Sequence, residues 1–382
     1  MKIALPQRIR GIKPFLVMDI LERARQLQAE GRDIIHLEVG EPDFDTPEVI
    51  VEAARKALSR GETHYTTALG IPELREAIAD HYNHHYQLSI SPSRVVVTNG
   101  SSPAMLMLFS ILLEQDDEVI LSDPHYACYQ SFILSAGAVP VLTPAGAKED
   151  FVLQPNSVQE RITPRTKSIL INSPSNPMGI RLKKQEIQAL SELGPPLVSD
   201  EIYHGLSYGE RDYSALEFSD NAFIINGFSK YFAMTGWRLG YIIAPDRYIR
   251  PLEILQQNYF ISPNSFVQWA GVTALREAIP AAEKMRETYA RRRDVMVKGL
   301  KEIGLPVQRE PDGAFYAFTD AHRFGDNSLS LAGEILEATG VAVAPGADFG
   351  PGGEGYLRFS YCNSEENIKK AIERVGRFLS TR

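Results

Sequence analysis

Cysteine is scarce: Cys128 and Cys362 are the only two in 382 residues. Two thiols so far apart are too few for a disulfide framework or a cysteine-based zinc site. A reducing compartment, the cytoplasm, is therefore expected, and no metal. No window approaches about 20 consecutive apolar residues, the length a helix needs to cross a bilayer, so no membrane span is expected. The opening stretch, MKIALPQRIRGIKPFLVMDI, lacks the apolar core of a secretory signal. Positive charge is not in excess either. Lys and Arg number 40 against 48 Asp and Glu, a formal charge of −8. Without a basic stripe, a nucleic-acid partner is not expected. Internal repeats and low-complexity tracts are missing too.

What remains is ordinary globular composition, 44% hydrophobic and 23% charged, in a chain too long for one core. Helical spacing of apolar residues runs from about Leu16 to Leu27, from Pro47 to Leu58, and from Pro72 to Tyr86. A β-branched run, Arg94 to Thr98, precedes a turn and an apolar helix from Pro103 to Leu113. Short strands then alternate with helices. Strands are expected at Glu118 to Leu121, Ala138 to Leu142, Ser168 to Ile171, Leu197 to Val198, Ala222 to Asn226 and Gly240 to Ala244. One helix is expected from Tyr126 to Ser135. Such runs, bounded by turns, predict an α/β fold whose mostly parallel sheet is covered on both faces. A long charged helix from Pro280 to about Ile303 would bridge two halves. Beyond it, Ala314 to Phe318, a helix near Ser330, Tyr356 to Phe359 and a helix from Ser364 suggest a smaller α/β unit.

The segment that carries most chemistry is Gly227-Phe228-Ser229-Lys230-Tyr231-Phe232-Ala233-Met234-Thr235-Gly236-Trp237-Arg238-Leu239-Gly240. It follows an apolar strand, so Lys230 lies at a strand's carboxyl end, where ligands collect in such sheets. Desolvation there would lower the amine's pKa and make it a usable nucleophile. Ser229 and Arg238 add a hydroxyl and a planar cation suited to phosphate. Taken alone, Lys230 reads as a surface lysine. As a whole the segment resembles, position by position, the pyridoxal-phosphate (PLP) lysine signature of class I/II aminotransferases of the aspartate aminotransferase-like type.

That resemblance extends over most of the chain, and it implies roles for other motifs. In Ser199-Asp200-Glu201-Ile202-Tyr203, Asp200 would pair with the pyridine nitrogen and Tyr203 with the ring's phenolic oxygen; alone, the pair reads as a helix cap and a core tyrosine. Asn172-Ser173-Pro174-Ser175-Asn176-Pro177-Met178-Gly179 resembles the family's Asn-Pro-Gly turn. Asn176 would touch both the phenolic oxygen and the substrate carboxylate, across a cis Asn176–Pro177 bond. The turn Thr98-Asn99-Gly100-Ser101-Ser102 opens a helix and would hold the phosphate through Gly100, Ser101 and Ser102. Tyr126 would stack on the ring, and Tyr65 would reach the neighbouring subunit's phosphate in a homodimer. Gly40 would let the backbone approach the substrate. Arg358, alone among apolar neighbours on its strand, would clamp the α-carboxylate.

The fold so implied is a large domain with a mostly parallel seven-stranded sheet, over residues 46–285. A smaller α/β domain is built from both chain ends, with an N-terminal arm at 1–45 and the remainder at 286–382. The implied activity is transfer of an amino group from an L-amino acid to a 2-oxo acid, ping-pong, through a Schiff base on Lys230. A β-eliminating lyase on the same fold, or an aminotransferase-like regulator, are the alternatives. The second lacks room for a DNA-binding module before Gly40. No arginine occupies Gln257-Asn258-Tyr259 and no lysine replaces Ser102, where branches of the family recognise a distal carboxylate. Ile12, Phe15 and Tyr259 are expected to line an apolar side-chain pocket.

Overall fold

The computed structural model describes residues 6–382. Its largest element is a seven-stranded sheet. The order across it is Val95–Thr98, Gly240–Ile243, Phe223–Gly227, Leu197–Asp200, Thr166–Asn172, Glu118–Asp123 and Val139–Pro144. Gly240–Ile243 runs antiparallel to both its neighbours, and every other pairing is parallel. The β-branched and aliphatic residues of these strands alternate between two cores. Val95, Val97, Ile169, Ile171 and Ile224 point into one. Val96, Leu170, Val198, Phe223 and Ile225 point into the other. Both faces are thus covered, which is why the strands read as continuous apolar runs rather than alternating ones. Each such side chain contributes on the order of 1.5–3 kcal/mol on burial.

A second sheet is antiparallel, in the order Ala344–Pro345, Tyr356–Ser360, Tyr316–Asp320. Its register sets Arg358 opposite Phe318 and Ser360 opposite Tyr316. The N-terminal part of the chain joins this smaller unit: Ile35–His36 pairs in parallel with Val341–Ala342. The helix Leu16–Ala29 buries Val17, Ile20, Ala24 and Leu27. Its start has no capping side chain of its own. Instead the Asp348 carboxylate accepts from Leu16 N at 2.9 Å and Val17 N at 3.1 Å, satisfying two donors that a helix N-terminus leaves open. Both chain ends therefore build the small α/β unit, as expected. The long helix is Ile279–Glu302. Its Arg292 reaches Asp43 at 2.7 Å, tying the helix to the loop before residue 45.

Some boundaries differ from the sequence expectation. Tyr126 lies in a turn, and its helix starts at Tyr129. The strand expected from Ala314 begins at Tyr316, because Ala314 has φ 52°, outside the extended region. The helix Asp246–Tyr259, for which no expectation was drawn from sequence, contains Pro251, a residue unfavourable inside a helix. Among the described residues, no helix is long and apolar enough to cross a membrane.

Candidate active site

Five parallel strands release the chain at one rim of the large sheet. The turns after Thr98, Asp123, Asn172, Asp200 and Gly227 all meet there. The antiparallel strand enters at the same rim, so Arg238, two residues before Gly240, is returned to it. The small sheet faces this rim. Between them lies a cavity of about 310 Å³, lined among others by Gly40, Ser101, Ser102, Tyr126, Asn176, Asp200, Tyr203, Ser229, Lys230, Arg238 and Arg358.

Lys230 is half-buried. Its Nζ donates to the Gly40 carbonyl at 2.6 Å, and burial lowers the amine from its ordinary value to about 8. Asp200 is buried. Tyr129 Oη donates to its carboxylate at 2.6 Å and Ile202 N at 3.2 Å. Burial pushes its pKa up to about 6, with those two donors acting the other way. The acid is therefore still mainly ionised at neutral pH.

The turn before the helix Ser101–Leu112 is built tightly. Gly100 has φ 104° and no side chain caps the helix, leaving its first N–H groups free. A Cβ on Gly100 would lie 2.7 Å from Arg238 Nη2, and one on Gly240 would lie 2.7 Å from the Gly100 carbonyl carbon. Arg238 is exposed on its far side and donates to the Thr235 carbonyl at 2.9 Å. Helix start, two serines, buried Ser229 and a guanidinium could together hold an anion.

Across the cavity Arg358 is buried. Its Nη1 donates to Asn176 Oδ1 at 2.7 Å and its Nη2 to the Glu38 carbonyl. Nε has no partner. The guanidinium lies 4.4 Å from the Tyr316 ring and 4.8 Å from the Phe349 ring. Asn176–Pro177 is cis, as are Asp123–Pro124 and Ser173–Pro174.

Nearly every residue singled out from sequence is thus brought to one place. Tyr65 is one exception. It is 82% exposed and lines no part of this chain's cavity. Of the apolar candidates Phe15 lines the cavity, whereas Ile12 and Tyr259 do not; Tyr259 is exposed. Sequence reasoning missed Tyr129, which holds Asp200. It also missed Tyr316, whose hydroxyl shares a 2.7 Å hydrogen bond with that of Tyr203, and Glu41, which accepts from Thr235. Tyr129 is 71 residues from Asp200 and Tyr316 is 113 from Tyr203, separations that carry no local signal.

The family pattern "Aminotransferase class I and II" matches residues 32–375. The chain belongs to that aminotransferase family. Its relatives include the (5-formylfuran-3-yl)methyl phosphate transaminase of Methanocaldococcus jannaschii, 41% identical over 98% of this chain and 100% of that one. The aspartate/prephenate aminotransferase of Thermus thermophilus is also 41% identical, over 98% of both chains. A solved structure of the Thermus thermophilus aspartate aminotransferase with maleate superposes with a TM-score of 0.94. It is 40% identical, covering 98% of this chain and 99% of that one. The enzyme is an amino-acid aminotransferase, and enzymes of this family use PLP.

Proposed function

We propose that the cavity of this aminotransferase binds PLP with Lys230 as the amine that holds it, and that its preferred amino acids carry apolar side chains. The observation that carries this is a desolvated amine, Lys230, in one cavity with a buried carboxylate at one end and an anion site at another. The donor set fits the cofactor. Ser101, Ser102, Ser229 and Arg238 would hold its phosphate, with Gly100 leaving the space. Asp200 would face the ring nitrogen, kept anionic by Tyr129 and the Ile202 amide. Tyr126 would cover one ring face, and Tyr203 and Asn176 would meet the phenolic oxygen. When bound, PLP supplies an electron sink for a carbanion at the substrate α-carbon.

This chain's own groups do the rest. The unpartnered Nε of Arg358, with an Nη, offers a fork for the substrate carboxylate. Asn176, already on Nη1, orients that fork. Lys230 Nζ lies within the same space and can take the α-proton as a general base. Its lowered pKa leaves roughly a tenth of it as free amine at neutral pH.

The apolar wall is Phe15, Val17 and Met18 from the N-terminal helix, with Met105 and Phe132. The lining cations are Lys230, Arg238 and Arg358, each with a task already. Glu41 adds a negative charge. This supports side chains without a distal carboxylate. We further propose a homodimer in which Tyr65 serves the neighbouring site, a large unit over 46–285, and a small unit from the N-terminal arm and 286–382.

The test is a half-reaction. The purified enzyme with PLP is mixed with aspartate, glutamate, alanine, leucine, tyrosine or kynurenine, and the cofactor absorbance is followed. Leucine or the aromatic acids are expected to react at least about tenfold faster than aspartate. Lys230→Ala is expected to lose turnover by about a thousandfold or more. Wild-type rates in that variant would refute the assignment.

A further inference from the structure

Tyr316 stands where three parts of the site meet. It is buried, on the first strand of the small sheet. Its hydroxyl shares a 2.7 Å hydrogen bond with Tyr203, which belongs to the turn after the large sheet's Leu197–Asp200 strand. Its ring lies 4.4 Å from the Arg358 guanidinium. Arg358 is on the neighbouring strand, in the register that pairs Ser360 with Tyr316. A Cβ on Gly40 would sit 1.9 Å from the Tyr316 hydroxyl and 2.8 Å from its Cζ. Gly40 in turn is the residue whose carbonyl holds Lys230 Nζ.

One side chain thus meets Tyr203, Arg358 and the backbone on which the lysine rests. We propose that Tyr316 is a positioning residue that joins the small sheet to the large one at the site, through its hydroxyl on Tyr203 and its ring under Arg358. This rests on the cofactor reading above. The two contacts separate chemically. Removing the hydroxyl leaves Tyr203 free to turn, while removing the ring takes away an aromatic face over which the planar guanidinium lies. Either hydroxyl of the pair can be the donor, so loss of the Tyr316 hydroxyl changes how strongly Tyr203 donates to its next partner.

The experiment uses the holoenzyme and two variants, Tyr316→Phe and Tyr316→Ala. Three quantities are measured per bound cofactor: the pH midpoint of its visible absorbance, the affinity for 3-phenylpropionate as an unreactive carboxylate, and kcat and KM separately. Tyr316→Phe is expected to shift the midpoint by about half a pH unit and to leave the carboxylate affinity within about twofold. Tyr316→Ala is expected to weaken that affinity and raise KM by about tenfold, with kcat reduced less. If both variants keep the wild-type midpoint, affinity and KM per bound cofactor, the role is overturned, even where melting temperature or cofactor content falls. A wild-type protein that takes up no PLP would overturn the cofactor reading, and this inference with it.

Discussion

Lys230 shows how little sequence is needed to place a reactive group and how much structure is needed to tune it. The motif put it at a strand end. The fold adds burial, which lowers the amine to about 8, and the Gly40 carbonyl, which aims it. Only the unprotonated amine is a nucleophile, and its share grows with pH up to that value. Uptake of PLP by the apoenzyme is therefore expected to quicken about tenfold per unit from pH 6 towards 8 and then level off. Stopped-flow absorbance would check it, and a profile flat across that range would contradict the lowered pKa. Asp200 and Arg358 were legible for the same reason as Lys230, since each sits within a short motif. Tyr129 and Tyr316 were not, because their partners come from strands far away in the chain. Tyr259, expected to line the pocket, is instead exposed and lines no part of this chain's cavity.

At the level of elements, the sheet was readable because both its faces are buried, so each strand stands out as an apolar run between turns. What could not be read was the reversal of Gly240–Ile243, since a strand's direction leaves no mark on its composition. That reversal is what brings Arg238 against the Gly100 turn. The turn itself depends on glycine for two reasons, a φ of 104° and a gap of 2.7 Å to Arg238 from any added Cβ. Replacing it costs on the order of 1–3 kcal/mol of backbone strain. Gly100→Ala is accordingly expected to weaken PLP binding by about 10- to 100-fold in apoenzyme titrations. Pyridoxal without its phosphate should lose much less, and an equal loss for both would place the anion site elsewhere.

For the whole molecule, the resemblance implied a large seven-stranded sheet and a smaller α/β unit built from both chain ends, and the pairing of Ile35–His36 with Val341–Ala342 brings those ends together. Assembly between copies was not legible in physical terms. It depends on surfaces, and a lone chain leaves Tyr65, Tyr259 and Ile261 exposed. Ser262 ties two of these segments together through the Thr66 amide at 3.3 Å. On the proposed dimer, mixing refolded Lys230→Ala with Tyr65→Ala subunits at limiting PLP should create one intact site in each mixed pair. Activity should recover to about a quarter of wild type; no recovery above the sum of the two parents would rule out a shared site. The reversed strand has a practical consequence as well. Because the chain leaves and re-enters the large sheet at the same rim, all the chemistry is crowded there and the opposite rim carries only connections. The Asp220 side chain there is 98% exposed. A fluorophore, an affinity tag or a surface tether belongs at that position, on the rim opposite the cavity.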